Sequence, residues 1–283
     1  MLTETFQSIA SAARNVSRNW QPMLLIAAVY ACLLVVLYFF VSVREASLTQ
    51  VVLTFALAIA APLLFFLLQA MIAGAAASET EKLTSGALVR KALTSFWKLL
   101  LITLPLIALA VLIAYLLGKA QARFGTTLNN PTTELHRRVA NAANAREAAQ
   151  PIDWRAAILA TLRYLTFGLV LPLTAIHLWL ATAQEGLGSA IKKLKTLLAR
   201  AFAPQSVLTY IVGFLVFAVI PYFVLFKTIT TKHAWLEISL LVVRLAIIFT
   251  LTLLGWVMTV KAISLLSTGH LPASQPQPAN EAV

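Results

Sequence analysis

Apolar positions along the chain fall into six long blocks separated by shorter polar stretches. The blocks cover 23–43, 51–77, 99–117, 156–181, 206–226 and 235–265. Crossing a hydrocarbon layer of about 30 Å takes about 20 apolar residues in a helix, so each block has the length of a span. In lipid no water is available to the backbone, and each span must satisfy its own amides, which predicts helices. Pro62, Pro105, Pro172 and Pro221 lie inside these blocks. Transmembrane helices accept proline, usually with a kink. The predicted fold class is all-α: a polytopic helical membrane protein with six spans.

A second pattern appears just before alternate blocks. Over residues 6–20, Phe6, Ile9, Ala13, Val16 and Trp20 share one side of a helical wheel. Gln7, Ser8, Ser11, Arg14, Asn15 and Arg18 share the other, with Ser17 an intruder on the apolar side. Over residues 85–98, Leu88, Val89, Ala92, Leu93, Phe96 and Trp97 oppose Arg90, Lys91, Thr94, Ser95 and Lys98. Over residues 188–202, Ile191, Leu194, Leu197, Leu198, Ala201 and Phe202 oppose Lys192, Lys193, Lys195 and Arg200. These are amphipathic helices at the 3.6-residue period. Each ends on an aromatic residue before a span, and Pro22 and Pro204 mark two junctions where a helix is expected to break or turn. The segments order the chain as three repeats of amphipathic helix, span and return span. A related echo opens the fourth and sixth blocks: Trp154 and Arg163, like Trp235 and Arg244, are separated by eight residues.

The expected organisation is an amphipathic interfacial helix over 1–22, a six-span domain over 23–267, and a disordered tail over 268–283. The tail expectation rests on its Ser, Gln, Asn and Pro content. The loop 119–155 is long for a structureless connection. Within it Asn130 and Pro131 read as a helix cap and first turn, predicting a helix over 131–149 closed before Pro151.

Composition fits this pattern. The chain is 60% apolar and 11% charged, against about 45–50% and about 25% in soluble domains. The first block begins after a polar stretch and is too long for a signal-peptide core, so it reads as a first span. Cys32 is the single cysteine and cannot form an intrachain disulfide.

The net charge of +12 turns attention to anionic partners. The basic residues flank spans, which favours lipid headgroups over nucleic acid. Six spans place both termini and the three amphipathic segments on one side. That side carries eleven Lys and Arg and the other nine, leaving aside Arg163 and Arg244. The cations of the amphipathic side are concentrated next to spans, so that side is expected to be cytoplasmic.

Candidate chemistry is sparse. Arg163 and Arg244 lie inside spans, where a charge suggests function. They either line a site for an anion or lipid headgroup, or reach the interface with their long side chains. His177, deep in the fourth span, reads as a polar packing contact or a proton carrier. Asp153 is the single Asp, and Glu185 and Glu237 flank spans. The scattered histidines have no metal-ligand spacing. Signatures of zinc hydrolysis, phosphate loops and serine nucleophiles are absent from the sequence. No catalytic residue, cofactor or metal is expected. The candidate anion or lipid contacts are Arg163, Arg244, Lys192, Lys193, Lys195, Arg200, Arg90 and Lys91.

The run from Glu185 to Lys193, Glu-Gly-Leu-Gly-Ser-Ala-Ile-Lys-Lys, follows a span containing Arg163 and Pro172. Upstream, Gly86-Ala-Leu-Val-Arg-Lys leads into Phe96-Trp97-Lys-Leu-Leu. The arrangement, over about residues 5–265, resembles a broad group of bacterial six-span proteins. These include the membrane domain that precedes some glycerophosphodiester phosphodiesterases. The resemblance implies the architecture and a bacterial inner-membrane setting. The chain has no room for the phosphodiesterase domain, so no enzymatic activity carries over. Two function classes stay open. One is a non-enzymatic scaffold or accessory protein that engages anionic lipid, with a protein partner left open. The other is a transporter or channel for an anionic or lipid-like solute, with Arg163 and Arg244 lining the path.

Overall fold

The structure is a computed structural model that describes residues 2–43, 47–78, 84–124, 154–227 and 234–268. Among these residues the regular elements are all helical. They are α1 (Leu2–Arg18), α2 (Trp20–Ser42), α3 (Leu48–Ala76), α4 (Ser85–Phe124), α5 (Trp154–Leu165), α6 (Leu171–Glu185), α7 (Leu187–Lys192), α8 (Leu194–Ala201), α9 (Pro204–Phe214), α10 (Ile220–Phe226) and α11 (Ala234–Thr268). Two π-helical segments, Thr166–Val170 and Leu215–Val219, join α5 to α6 and α9 to α10. Six of the resulting helices are long and apolar enough to cross a bilayer: Trp20–Ser42, Leu48–Ala76, Ser85–Arg123, Ala157–Glu185, Pro204–Phe226 and Trp235–Thr268. The protein is a multi-pass α-helical membrane protein.

The junctions show how proline shapes the chain. Between α1 and α2 the helix breaks at Asn19 (φ −108°, ψ 52°), three residues before Pro22. Between α8 and α9 it breaks at Ala203 (φ −59°, ψ 137°), an extended conformation imposed by the following Pro204. No proline stands near residue 98, and there the expected separate helix does not form. Residues 85–98 are continuous with the third span in the 40-residue α4, which is about 60 Å long at about 1.5 Å per residue. The same helix continues to Phe124, so the connection expected from residue 119 starts later. The predicted helix 131–149 and the tail from 269 on lie outside the described residues.

Proline also accounts for the π segments, which sequence reasoning had not anticipated. Pro172 and Pro221 lack an N–H, and their rings crowd the preceding turn. One residue ahead of each, the helix widens to a five-residue hydrogen bond. Leu171 N–H donates to Thr166 O, and Ile220 N–H donates to Leu215 O. A widened turn of this kind is a π-bulge. Pro62 and Pro105 sit within α3 and α4 with no such segment.

The chain divides into two compact units, Met1–Ile102 with Leu173–Val283, and Thr103–Pro172. In the first, burial is concentrated in three stretches: 66–76 of α3, 173–182 of α6 and 253–264 of α11. Small residues allow the close approach that membrane helices need, because lipid supplies no hydrophobic drive between them. A Cβ at Gly213 of α9 would stand 2.7 Å from Thr259 Cγ2 of α11, and one at Gly255 would stand 2.9 Å from Phe217 Cβ. Phe217 and Trp256 then meet edge to face at 5.1 Å. In the second unit most large side chains are exposed, including Val111, Tyr115, Trp154 and Tyr164. Lys119 there lies over the Tyr115 ring at 5.9 Å.

Candidate functional site

The three amphipathic segments present their predicted cations outward. Arg14 and Arg18 of α1, Arg90 and Lys98 of α4, and Lys192, Lys195 and Arg200 of α7 and α8 are exposed. Alongside them stand bulky apolar side chains: Phe6 is 62% exposed, Trp97 65% and Ile191 57%. What each segment buries is a stripe of mostly smaller residues. In α1 it is Thr5, Ser8 and Ala12, against α11 and α9. In α4 it is Leu88, Ala92, Ser95 and Leu99. In α7 and α8 it is Ala190 and Ala201. On the α1 wheel the buried stripe sits beside the apolar face, not on it. The helix therefore has three sectors: small toward the protein, bulky apolar, and cationic.

Two predicted contacts are engaged within the protein. Lys193 Nζ lies 2.7 Å from Glu185 Oε2, which also accepts from Ser189 Oγ at 2.6 Å. This knot follows the corner at Gly186, whose φ of +85° favours glycine. Lys193 interrupts the expected continuous helix at φ −93°, ψ 13°, dividing α7 from α8. Lys91 is half-buried and donates to Ser78 Oγ at 3.3 Å.

Arg163 is exposed in the second unit, at the end of α5. Arg244 is half-buried on α11 in the first. His177 is buried, and its Nδ1 donates to Leu173 O at 3.0 Å, one turn back. Its Nε2 has no hydrogen-bond partner among the described residues.

The most developed polar cluster surrounds Lys261, which sequence reasoning counted only as a flanking charge. Lys261 is 3% exposed and donates to Ala76 O at 3.0 Å and Ser78 O at 2.8 Å. Ser264 Oγ adds a bond to Ala76 O at 3.1 Å. These groups satisfy carbonyls at the end of α3 that have no intrahelical donor. Beside them is a cleft of about 40 Å³ whose polar lining is Asn15, Asn19, Ser78 and Lys261. Val16, Pro22, Met23 and Val257 form its apolar wall. The helix end contributes roughly half a negative charge, which the Lys261 ammonium faces through Ala76 O and Ser78 O. The available sequence signal was a lysine four residues inside the end of an apolar block, flanked by Thr259 and Ser264.

With this geometry established, comparison with known proteins adds no relative: no family model, curated protein or solved structure matches the chain.

Proposed function

We propose that the protein is a non-enzymatic scaffold or accessory protein of a bacterial inner membrane. Its basic segments lie at the cytoplasmic face, hold anionic lipid, and leave the spans and the long loop to engage a protein partner. The observation that carries this reading is the three-sector arrangement. Bulky apolar residues and cations stand exposed side by side on α1, the start of α4, and α7–α8, while a separate stripe docks on the protein. That is the amphipathic surface that seats a helix in the headgroup region. Each basic residue near an anionic surface contributes about 1 kcal/mol. The exposure of Arg163 favours this reading over a solute path lined by Arg163 and Arg244. The resemblance to bacterial six-span domains supports the inner-membrane setting.

The test is lipid selectivity of the purified full chain in bilayers mixing anionic and zwitterionic lipid. Replacing Lys192, Lys195 and Arg200 together with Gln is expected to reduce enrichment of anionic lipid at least severalfold, at about 1 kcal/mol per charge. Unchanged enrichment would reject the lipid-binding role. A reporter fused after Val283 and active only outside the cytoplasm would reject the orientation.

A further inference from the structure

We infer that Glu185 is an internal competitor for lipid phosphate. It holds Lys193 in a clasp that an anionic lipid surface opens, so α7–α8 adds its fourth cation only where such lipid is dense. The inference rests on the lipid-binding reading above and names a regulation of that same surface.

The clasp is a product of the chain's path. Groups eight residues apart on a straight helix stand about 12 Å apart along its axis, at about 1.5 Å per residue. Here Gly186, at φ +85° and ψ 168°, turns the chain between them. The turn brings Lys193 Nζ to 2.7 Å from Glu185 Oε2, and Ser189 Oγ donates to the same oxygen at 2.6 Å. Lys193 stands at the joint between α7 and α8. Its N–H donates to Ser189 O at 3.0 Å, and its O accepts from Leu197 N–H at 2.9 Å. The backbone is bonded on both sides of the joint, so the side chain can leave Glu185 without unfolding either helix.

Magnitudes make the clasp conditional. Both partners are exposed, Lys193 at 56% and Glu185 at 39%. An exposed ion pair favours its closed state by about fivefold at most. A basic side chain beside an anionic leaflet gains about the same factor. Neither wins outright. Lys193 stays with Glu185 over zwitterionic lipid and turns to phosphate as the negative surface potential rises. A buried pair would not respond in this way, because opening it strands a charge. Lys192, Lys195 and Arg200 are exposed on the same segment and draw anionic lipid to the clasp. Arg200 also acts on Glu185 electrostatically, so the test must isolate Lys193.

The experiment measures selectivity of the purified full chain for phosphatidylglycerol over phosphatidylcholine. The bilayers hold about 5% or about 50% phosphatidylglycerol, a weak and a strong surface potential. At the low share Lys193→Gln should leave enrichment unchanged, because Glu185 already holds that charge. At the high share it should lower enrichment about threefold. Glu185→Gln keeps the side chain's shape and removes its charge; at the low share it should raise enrichment about threefold. That gain should at least halve when Lys193→Gln is combined with it. Equal gains with and without Lys193 overturn the inference, because the carboxylate then acts through net charge alone. So does a Lys193→Gln effect that is the same at both shares. Inorganic phosphate added at the low share should leave Lys193→Gln silent; a loss there assigns the opening to a free anion and overturns the lipid-driven clasp. The Lys192, Lys195 and Arg200 triple variant separates the two readings. If it loses enrichment while the Lys193 effects are absent, the clasp alone fails. If it keeps wild-type enrichment, the lipid-surface reading fails and the clasp with it.

Discussion

The two ends of α3 belong to one apolar span and behave differently. Residues 51–60 carry Val52, Leu53, Phe55 and Ile59, all exposed. Residues 66–76 are almost entirely buried. α11 repeats the contrast: Leu236, Leu241, Val242 and Val243 are exposed, whereas 259–264 are all buried. What separates the ends is composition. The buried ends hold Gln69, Ala70, Ala73, Gly74 and Ala76 in one helix and Gly255, Thr259, Lys261, Ala262 and Ser264 in the other. Small residues bring backbones together, and polar ones bond across the gap. The exposed ends are bulky and branched, suited to lipid. Hydropathy says where a helix crosses; small and polar residues say where it touches another helix.

The strongest way to break this contrast is to remove Lys261. Lys261→Met leaves Ala76 O and Ser78 O without their charged donor, and hydrogen bonds to charged groups are worth about 1.5–3 kcal/mol each. The expected loss is about 3 kcal/mol, read as a lowered unfolding midpoint in detergent. A loss below about 0.5 kcal/mol, the level of an ordinary surface substitution, would show that α3 does not depend on this anchor.

Next in size is the close approach of α9 to α11. A Cβ at Gly213 overlaps the Thr259 side chain, with 2.7 Å to Cγ2. Overpacking of this kind costs about 1–3 kcal/mol. Gly213→Ala is therefore expected to destabilise by that amount. Adding Thr259→Ala should restore part of it, because it removes two of the overlapping atoms. Additive losses in the double variant would contradict the contact. Smaller again is the bond from Trp256 Nε1 to Gln69 Oε1 at 3.1 Å. A double-mutant cycle of Trp256→Phe and Gln69→Leu should give a coupling of about 0.6 kcal/mol, the average for hydrogen bonds between membrane helices.

The spans were legible because a bilayer imposes one requirement, a run of apolar residues, and hydropathy measures it directly. The breaks before Pro22 and Pro204 were legible for a similarly local reason, since proline constrains its own backbone and its neighbour's. The continuity of α4 follows from the same rule in reverse. Lys261 was not legible as a site because its role depends on the end of α3, 185 residues away in sequence. Averaging over an apolar block also hides one lysine. On the helical wheels Leu88, Ala92 and Ala201, which the structure buries, fall on the apolar sides, but the buried stripe of α1 does not. A stripe such as Thr5, Ser8 and Ala12 is small rather than apolar, and the period alone gives it no weight.

The smallest expected effect is the control for the contrast. Phe55→Ala removes a large ring, and in a buried core that change costs about 3–5 kcal/mol. Phe55 is 68% exposed at the lipid-suited end of α3, where the ring meets hydrocarbon in both the folded and the separated helix. Truncating it should therefore change stability by no more than about 0.5 kcal/mol. Met71 lies at the other end of the same helix and is 1% exposed. Met71→Ala should cost about 2–5 kcal/mol. Measured side by side in one bilayer composition, the two substitutions separate contact with protein from contact with lipid. Equal losses would mean that the end carrying Phe55 also meets protein in the membrane, and that a second surface covers it.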